Sequence, residues 1–328
     1  MIDKFIKSSL FLSAVFISSL LSNCTQNKEL NEEAYLFIYF TGNEITDETV
    51  HFALSTDGYT FTALNNNSAV LNSKKISKTG GVRDPHILRG ENGVFYMALT
   101  DMVSSTGWDT NRGLILLKSK DLINWSSSAI HFPARFKNQE NLKSVWAPQT
   151  IYDNESGKYI IYWSSKYGTK EEVLYYAFVN SDFTDLEGYP TPLFIPKNKA
   201  HCIDGDIIIK DDLYYLFYKT SNENGEGIKV ATATSLTANK WKEYPNFLQK
   251  TDKQVEGSGI FKRNNSTDYI LMYDLFQDHG YEFCKSKDLL NFVSTEKKVE
   301  LNFSPRHGTI LPITGKEYDL LLEKWGMQ

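Results

Sequence analysis

Two aspartates, one glutamate and one histidine recur at nearly regular intervals along the sequence. They are Asp84 in VRDPHI, Asp204 in CIDGDI, Glu256 in VEGSGIF and His307 in PRHGTIL, and Ala147 in VWAPQTI holds the place between the first two. These positions are roughly 50 to 60 residues apart, and each precedes a short run rich in β-branched residues. Carboxylates brought together from such positions repel one another, which separates their pKa values. The spacing therefore indicates a shared site with a chemical use.

Hydrolysis of a glycosidic bond is the chemistry that such a set of carboxylates suits. One carboxylic acid donates a proton to the departing oxygen, and a second carboxylate activates water or attacks directly. A third carboxylate close by keeps the acid protonated near neutral pH. The alternative for any one of these residues is a turn cap, as in many Asp-Pro and Asp-Gly pairs. Because Asp84, Asp204 and Glu256 occur together in this pattern, we favour the shared site over turn caps. Asp206 is the alternative to Asp204 within that site.

The elements that position these residues follow from a second repeated mark. It occurs at 55–61, 119–125, 180–186, 232–241 and 286–292, and three of these copies contain a Ser-x-Asp triplet, in STDGYTF, SKDLINW and SKDLLNF. Repeats of this length filled with strand-like runs predict propeller blades of four strands each. We expect an all-β, five-bladed β-propeller.

The last blade is expected to be closed by strands from both ends of the chain. The segments 35–43, 50–57 and 59–64 supply three outer strands, and HGTILPI at 307–313 supplies the missing innermost strand. After it, Thr314 and Glu317 have the spacing of a capping box, and apolar residues follow at helical intervals. A short C-terminal helix is therefore predicted.

The N-terminus has the pattern of an export signal. Two lysines precede an apolar stretch at 10–21, which is too short to span a bilayer, and Leu21-Ser22-Asn23-Cys24 resembles a bacterial lipobox. We interpret residues 1–24 as a lipoprotein signal peptide with lipidation at Cys24, residues 25–33 as a tether, and residues 34–328 as one catalytic propeller domain. The alternative is an ordinary cleaved signal with an incidental cysteine. The expected location is the periplasm, the outer membrane or the cell surface.

Composition limits the partners. The net charge is −5 at pH 7 and the chain has no long run of Lys or Arg, so there is no electrostatic footprint for nucleic acid or an anionic membrane surface. Membrane contact is expected only through the N-terminal lipid, and the expected partner is an oligosaccharide or polysaccharide. Cys202 and Cys284 are interpreted as small buried apolar residues, with a disulfide as the alternative.

These motifs together resemble glycoside hydrolase family 43, five-bladed propeller enzymes that cleave arabinose and xylose linkages with inversion. VRDPHI, VWAPQTIYD, CIDGDI, VEGSGIF and RHG occur in the order of that family. The resemblance implies that Asp84 is the general base, that Asp204 tunes the pKa of the acid and that Glu256 is the general acid. Gly205 and Ser258 stand where the family commonly has proline, and neither departure removes a carboxylate.

The resemblance also suggests residues around the three carboxylates. His307 resembles an axial histidine that helps to hold a hydrated calcium or sodium ion, although a lone histidine can equally be structural and hard cations prefer oxygen ligands. No cofactor is expected to be required. The side chains that could contact substrate are two cations, which could instead pair with the acids, and three aromatics, which could instead belong to the core: Arg83, Arg306, Trp146, Trp108 and Phe40.

Four phrases point to a substrate class by resemblance: YFTGN, GVRDPHILRG, GWDTNRG and SPRHGTILPIT. They are similar to exported family 43 enzymes that remove terminal α-L-arabinofuranose or β-D-galactofuranose from arabinogalactan-type polysaccharides. We expect an inverting, exo-acting α-L-arabinofuranosidase, with β-xylosidase and endo-arabinanase as alternatives. A glycan-binding lipoprotein without activity is the alternative of another class. Retaining fructan hydrolases need an Asn-Asp-Pro motif that this sequence lacks.

Overall fold

Apolar runs separated by turn residues form a ring of sheets. The computed structural model describes residues 31–223 and 225–326, and within these residues the strands form one five-stranded and four four-stranded sheets. One strand from each sheet contacts its counterparts in both neighbouring sheets, so these strands line the centre of the ring. The fold is the all-β, five-bladed propeller that the repeat predicts.

Most strands belong to blades formed by consecutive segments of the chain. The N-terminal strands are β1 (Glu32–Phe40), β2 (His51–Ser55) and β3 (Thr60–Ala63). Blade I contains β4 (Val82–Arg89), β5 (Phe95–Asp101), β6 (Gly113–Ser119) and β7 (Trp125–His131). Blade II contains β8 (Leu142–Asp153), β9 (Lys158–Tyr167), β10 (Val173–Val179) and β11 (Leu186–Phe194). Blade III contains β12 (Cys202–Lys210), β13 (Leu213–Asn222), β14 (Gly225–Ala233) and β15 (Lys242–Glu243). Blade IV contains β16 (Glu256–Lys262), β17 (Tyr269–Leu275), β18 (Gly280–Ser286) and β19 (Val293–Ser294).

Blade V closes the ring with strands from both ends of the chain, as predicted. Its innermost strand is β21 (Arg306–Thr314), which pairs antiparallel with β1, and β2 and β3 follow outward. The sequence analysis did not predict β20 (Glu300–Leu301), a short strand that pairs in parallel with β3. The chain leaves the outer side of blade IV and must return to the centre to form β21. On the way it pairs with the edge of β3, which would otherwise be open.

Three short helices complete the described residues: α1 (Ser73–Ile76), α2 (Phe132–Arg135) and the predicted C-terminal helix α3 (Gly315–Trp325). Single 3-10 turns lie at Asn65–Asn67 and Ser104–Thr106. The predicted capping box begins α3, since the Thr314 hydroxyl accepts from the Glu317 N–H and the Glu317 carboxylate accepts from the Thr314 N–H. No helix in the described part of the chain has the length and apolar character needed to cross a membrane.

The second repeated mark is a turn with the same hydrogen bonds in three blades. In blade I the Ser119 hydroxyl donates to Asp121 at 3.0 Å, and the same carboxylate accepts from the N–H groups of Ile123 and Asn124. The triplets that begin at Ser55 and Ser286 form the same arrangement. Burial raises the pKa of Asp121, but these hydrogen bonds outweigh it and hold the pKa at about 2. The repeated triplet therefore marks one folded turn.

Apolar packing between neighbouring blades holds the ring together. Each of the five buried clusters draws its side chains from two adjacent blades, and one of them also includes α3. Trp163 of blade II packs edge-on against Phe132, which follows blade I, at 5.1 Å between ring centroids. A fully buried apolar side chain contributes roughly 1.5–3 kcal/mol. The clusters therefore fix the positions of the central strands.

Several predictions concern residues at or near the ends of the chain. The signal peptide at 1–24, with Cys24, and most of the tether at 25–33 lie outside the described residues. Strand β1 begins at Glu32, so the last residues assigned to the tether belong to the sheet instead.

Cys202 and Cys284 are buried and form no disulfide, which confirms their interpretation as small core residues.

Replacement of Glu317 should weaken the closure of the ring. Its carboxylate binds the guanidinium of Arg89 through two contacts, at 2.6 and 2.7 Å, besides capping α3. We expect Glu317→Ala to lower the free energy of unfolding by about 2 kcal/mol, measured by denaturant titration. Glu323 is exposed on the same helix, and Glu323→Ala should change stability by less than about 0.5 kcal/mol. Equal stability of the two variants would contradict this account.

Candidate active site

A β-bulge interrupts the pairing between every innermost strand and its neighbour in the same blade. In blade I, Arg83 pairs with Thr100 and His86 with Ala98, so that two residues lie opposite one. The same irregularity occurs in β8, β12, β16 and β21. In four of the blades the first bulged residue has a positive φ, with values of 49° at Asp84, 46° at Ala147, 52° at Asp204 and 59° at Gly257. A non-glycine residue in this region costs about 1–3 kcal/mol and is typically found at functional sites.

The bulges correct the sequence alignment of one carboxylate. Glu256 was predicted to occupy the same repeat position as Asp84 and Asp204, and this is wrong by one residue. Gly257 holds the equivalent position, where a Cβ atom would lie 2.9 Å from the His307 ring. Glu256 instead matches the residues that precede the bulge in the other blades, which are Arg83, Trp146, Ile203 and Arg306. The carboxylates therefore reach the centre from two different bulge positions.

One cavity of about 200 Å³ lies where the bulges converge. It brings together every residue that the sequence analysis assigned as catalytic, substrate-binding or metal-binding, and leaves out Asp206, the alternative to Asp204. Met102 and Ile203 also line it, and sequence reasoning missed both. The lining residues come from all five blades and the adjoining loops: Phe40, Arg83, Asp84, Met102, Trp108, Trp146, Ile203, Asp204, Glu256, Arg306 and His307.

Asp84 is held by a neutral donor from the next strand. The Thr100 hydroxyl donates to its Oδ2 at 2.8 Å, and the same hydroxyl accepts from the N–H of Ala147 at 2.9 Å. The other carboxylate oxygen, Oδ1, lies 3.6 Å from His307 Nδ1. Thr100 therefore fixes the orientation of Asp84 and links blade I to the bulge of blade II.

Asp204 connects blade III to the backbone beside Glu256. Its Oδ2 accepts from the N–H of Gly257 at 2.8 Å, and its carbonyl oxygen accepts from the Ser258 hydroxyl at 2.6 Å. Asp206, the alternative for this role, does not line the cavity. Its Oδ2 accepts from the N–H of Ile260 at 2.7 Å in a buried position, and burial raises its pKa to about 7. Asp204 is the aspartate that lies beside the acid candidate.

His307 lies between the two aspartates. Its Nδ1 is 3.6 Å from Asp84 Oδ1 and 3.7 Å from Asp204 Oδ1. Burial opposes a charged imidazole, but the surrounding carboxylates outweigh it and raise the pKa of His307. Among the residues that the structure describes, no group of three or more His, Cys, Asp or Glu side chains has an arrangement that would hold a metal ion.

Glu256 has the surroundings of a carboxylic acid that stays protonated. Burial and the nearby negative charges of Asp204 and Asp274 raise its pKa, whereas Arg306 and Lys219 lower it, and the resulting pKa is about 7. Arg306 Nη2 lies 2.6 Å from Oε1, and Lys219 Nζ lies 3.8 Å from Oε2. A pKa near the working pH is what a general acid requires.

Each arginine in the cavity is anchored by a fully buried carboxylate that the sequence analysis missed. Arg83 Nη1 contacts Glu48 Oε1 at 3.0 Å, and Arg306 Nε contacts Asp274 Oδ2 at 2.7 Å. Arg306 thus pairs with the acid candidate, whereas Arg83 pairs outside the set of three carboxylates. Asp274 had a signal in the sequence, because YILMYDLF places a charge in an apolar strand. Glu48 lies in a loop, where no pattern marks it.

The aromatic side chains divide between floor and rim. Phe40 is buried, and the Arg83 guanidinium lies 4.4 Å from its ring centroid, so it forms part of the floor. Trp146 is half-buried, and its indole N–H is buried with no partner among the described residues. Trp108 is 52% exposed, and its ring centroid lies 5.2 Å from the Arg83 guanidinium. Trp108 is therefore the aromatic best placed to stack on an incoming sugar ring.

Comparison with solved structures places the fold among family 43 hydrolases. A thermostable family-43 glycoside hydrolase has a TM-score of 0.56 and 19% identity over 73% of this chain and 82% of that chain. An α-L-arabinofuranosidase from Lactobacillus brevis has a TM-score of 0.54 and 16% identity over 75% of this chain and 84% of that chain. Similarity at these identities shows the fold.

Sequence comparison extends this to the family. An α-L-arabinofuranosidase of Bifidobacterium longum subsp. longum is 28% identical over 200 residues, which are 55% of this chain and 19% of that protein. The chain therefore spans about a fifth of the length of this curated relative. A family-43-related model described as a probable glycosyl hydrolase domain matches residues 31–319. The chain belongs to the glycosyl hydrolases related to family 43.

Proposed function

We propose that the protein is an inverting, exo-acting glycosidase that removes terminal α-L-arabinofuranosyl or β-D-galactofuranosyl units from plant-type polysaccharide side chains. The observation that carries the proposal is the single cavity in which Asp84, Asp204 and Glu256 meet. We further propose that it is an exported lipoprotein with its lipid on Cys24, which rests on the lipobox resemblance.

The surroundings of the three carboxylates support distinct roles. Glu256, with a pKa of about 7, is the general acid that donates a proton to the departing glycosidic oxygen. Asp84, oriented by Thr100, is the general base that removes a proton from the attacking water. Asp204 binds the N–H of Gly257 and places a negative charge beside Glu256, which favours its protonated form. His307 offsets the repulsion between the two aspartates.

The size of the cavity supports removal of one terminal unit at a time. Its volume of about 200 Å³ lies below the ~300–1,000 Å³ of pockets for drug-sized ligands. The sequence relative named α-L-arabinofuranosidase supports arabinofuranose as the sugar. β-Xylosidase and endo-arabinanase are the competing assignments. They can be separated by comparing hydrolysis rates on aryl arabinofuranosides, aryl galactofuranosides, aryl xylosides and linear arabinan.

Removal of the acid or the base should abolish turnover without unfolding the protein. We expect Glu256→Gln and Asp84→Asn each to lower kcat/KM by roughly 10²–10⁴-fold, measured with a glycoside that has a poor leaving group. Glu91→Gln and Asp182→Asn change exposed residues outside the cavity and serve as matched controls with unchanged turnover. Wild-type rates in either site variant would refute the assignment of that residue.

The stereochemistry of the product tests the role of Asp84 separately. If Asp84 activates water, the sugar is released with inverted configuration at the anomeric carbon, because water attacks the face opposite the leaving group. Proton NMR during the first minutes of hydrolysis should show the inverted anomer before mutarotation. Detection of the retained anomer first would mean that Asp84 is not a water-activating base.

The pH dependence should report the ionisation of Glu256. Its raised pKa means that the protonated, active form persists up to about pH 7. Above that pH, kcat/KM should fall about tenfold per unit as the carboxylic acid ionises. Lys219 favours the ionised form, so Lys219→Met should move this alkaline limb to higher pH. An unchanged or lowered limb in that variant would contradict the assignment of the limb to Glu256.

A further inference from the structure

A fourth carboxylate, Asp274, lies directly behind the acid candidate. It is fully buried near the end of β17 and is the cross-strand partner of Glu256. Its Oδ2 accepts from Arg306 Nε at 2.7 Å and from the N–H of His307 at 3.2 Å. Its Oδ1 is buried and has no partner among the described residues. Such an unsatisfied buried oxygen is costly and calls for an explanation.

Arg306 joins the two carboxylates through one rigid group. Its Nε contacts Asp274, and its Nη2 contacts Glu256 Oε1 at 2.6 Å. Because the guanidinium is planar, contacts from two of its nitrogens fix its orientation. The position of the Glu256 carboxylate is therefore set, through Arg306, by Asp274.

The same arrangement controls how strongly the arginine favours ionised Glu256. A guanidinium that paired with Glu256 alone would strongly favour the carboxylate over the carboxylic acid. Asp274 shares that positive charge and adds a negative charge of its own on the same side. Asp204 and Lys219, both from blade III, also face Glu256 and act in opposite directions on its pKa. His307 and Tyr281 are the remaining titratable groups within the described residues that interact with it.

A purely structural ion pair does not account for these contacts as well. An ion pair that only connected β21 to β17 would be most stable if both carboxylate oxygens of Asp274 accepted hydrogen bonds. The guanidinium of Arg306 would then make all its contacts inside the core. Here Asp274 keeps one oxygen without a partner, and Arg306 extends into the cavity.

We propose that Asp274 is a positioning residue for the general acid, which it holds in place and in its proton-donating form through Arg306. The inference rests on the proposed function, because it requires Glu256 to protonate the departing oxygen. A residue that acts through the acid matters most when the leaving group needs protonation. This dependence distinguishes it from a residue that only stabilises the fold.

The test compares Asp274→Asn with the wild-type full chain on two arabinofuranosides. The methyl glycoside has a poor leaving group that needs a proton, and the 2,4-dinitrophenyl glycoside has a leaving group that does not. We expect kcat/KM to fall roughly 10- to 100-fold on the methyl glycoside and less than about threefold on the dinitrophenyl glycoside. The alkaline limb of the pH profile should move down by about one unit, since the variant strengthens the pull of Arg306 on Glu256.

Asp153→Asn is the matched control, because Asp153 is also a buried aspartate but lies outside the cavity in blade II. It should leave both rates and the pH limb unchanged, and thermal melts should show that each variant is folded. If Asp274→Asn does not fold, Arg306→Lys gives the same test, since a lysine keeps the charge but cannot bridge both carboxylates. Either folded variant should show the split between substrates.

The outcomes separate this inference from the proposed function. Equal losses on both substrates with an unmoved pH limb, or no loss on either, would overturn the role of Asp274 while leaving the hydrolase assignment in place. A wild-type enzyme that cleaves neither these two arabinofuranosides nor the galactofuranosides and xylosides of the screen would overturn both. A loss confined to the methyl glycoside, with the limb shifted down, supports the positioning role.

Discussion

Mutual repulsion of the carboxylates is the constraint around which the centre of the ring is organised. Asp84, Asp204 and Glu256 share a small and largely buried cavity, where screening by water is weak. Cations and donors from other strands offset this repulsion. His307 lies between the two aspartates, and Arg306 contacts Glu256. Removing one partner of a buried charge pair costs about 3–5 kcal/mol, so these groups depend on one another.

The need to keep these charges together explains why the ring must be closed firmly. The groups that offset one another come from different blades: Asp84 from blade I, Asp204 from blade III, Glu256 from blade IV and His307 from blade V. A small separation of two blades would leave charges buried without their partners. Strand β21 supplies His307, and its pairing with β1 joins the two ends of the described chain. Closure of the fold and assembly of the cavity are therefore the same event.

The sequence predicted the fold well because the repeated blades of the fold arise from repeated sequence segments. The strand-like runs and the position of β21 recur or complete a recurring pattern, and the structure shows them as predicted. The Ser-x-Asp triplets also recur, and the structure shows that they form turns. The shift of Glu256 by one residue was not predictable, because a bulge is defined by pairing with a neighbouring strand. The same limit applies to Glu48 and Asp274. Each pairs with an arginine far away in sequence, and only the folded chain shows which one.

Chemically similar side chains acquire different properties here because their neighbours differ. Asp84 is held by a neutral hydroxyl and faces His307, at a bulge position where its backbone is left-handed. Glu256 stands one position before its bulge, between two cations and two anions, and these charges with burial bring its pKa to about 7. A carboxyl group that exchanges its proton near neutral pH can donate it to a leaving oxygen and regain it from water. The placement of Glu256 relative to the bulge therefore makes it the candidate for the acid, since it determines which charged side chains surround it.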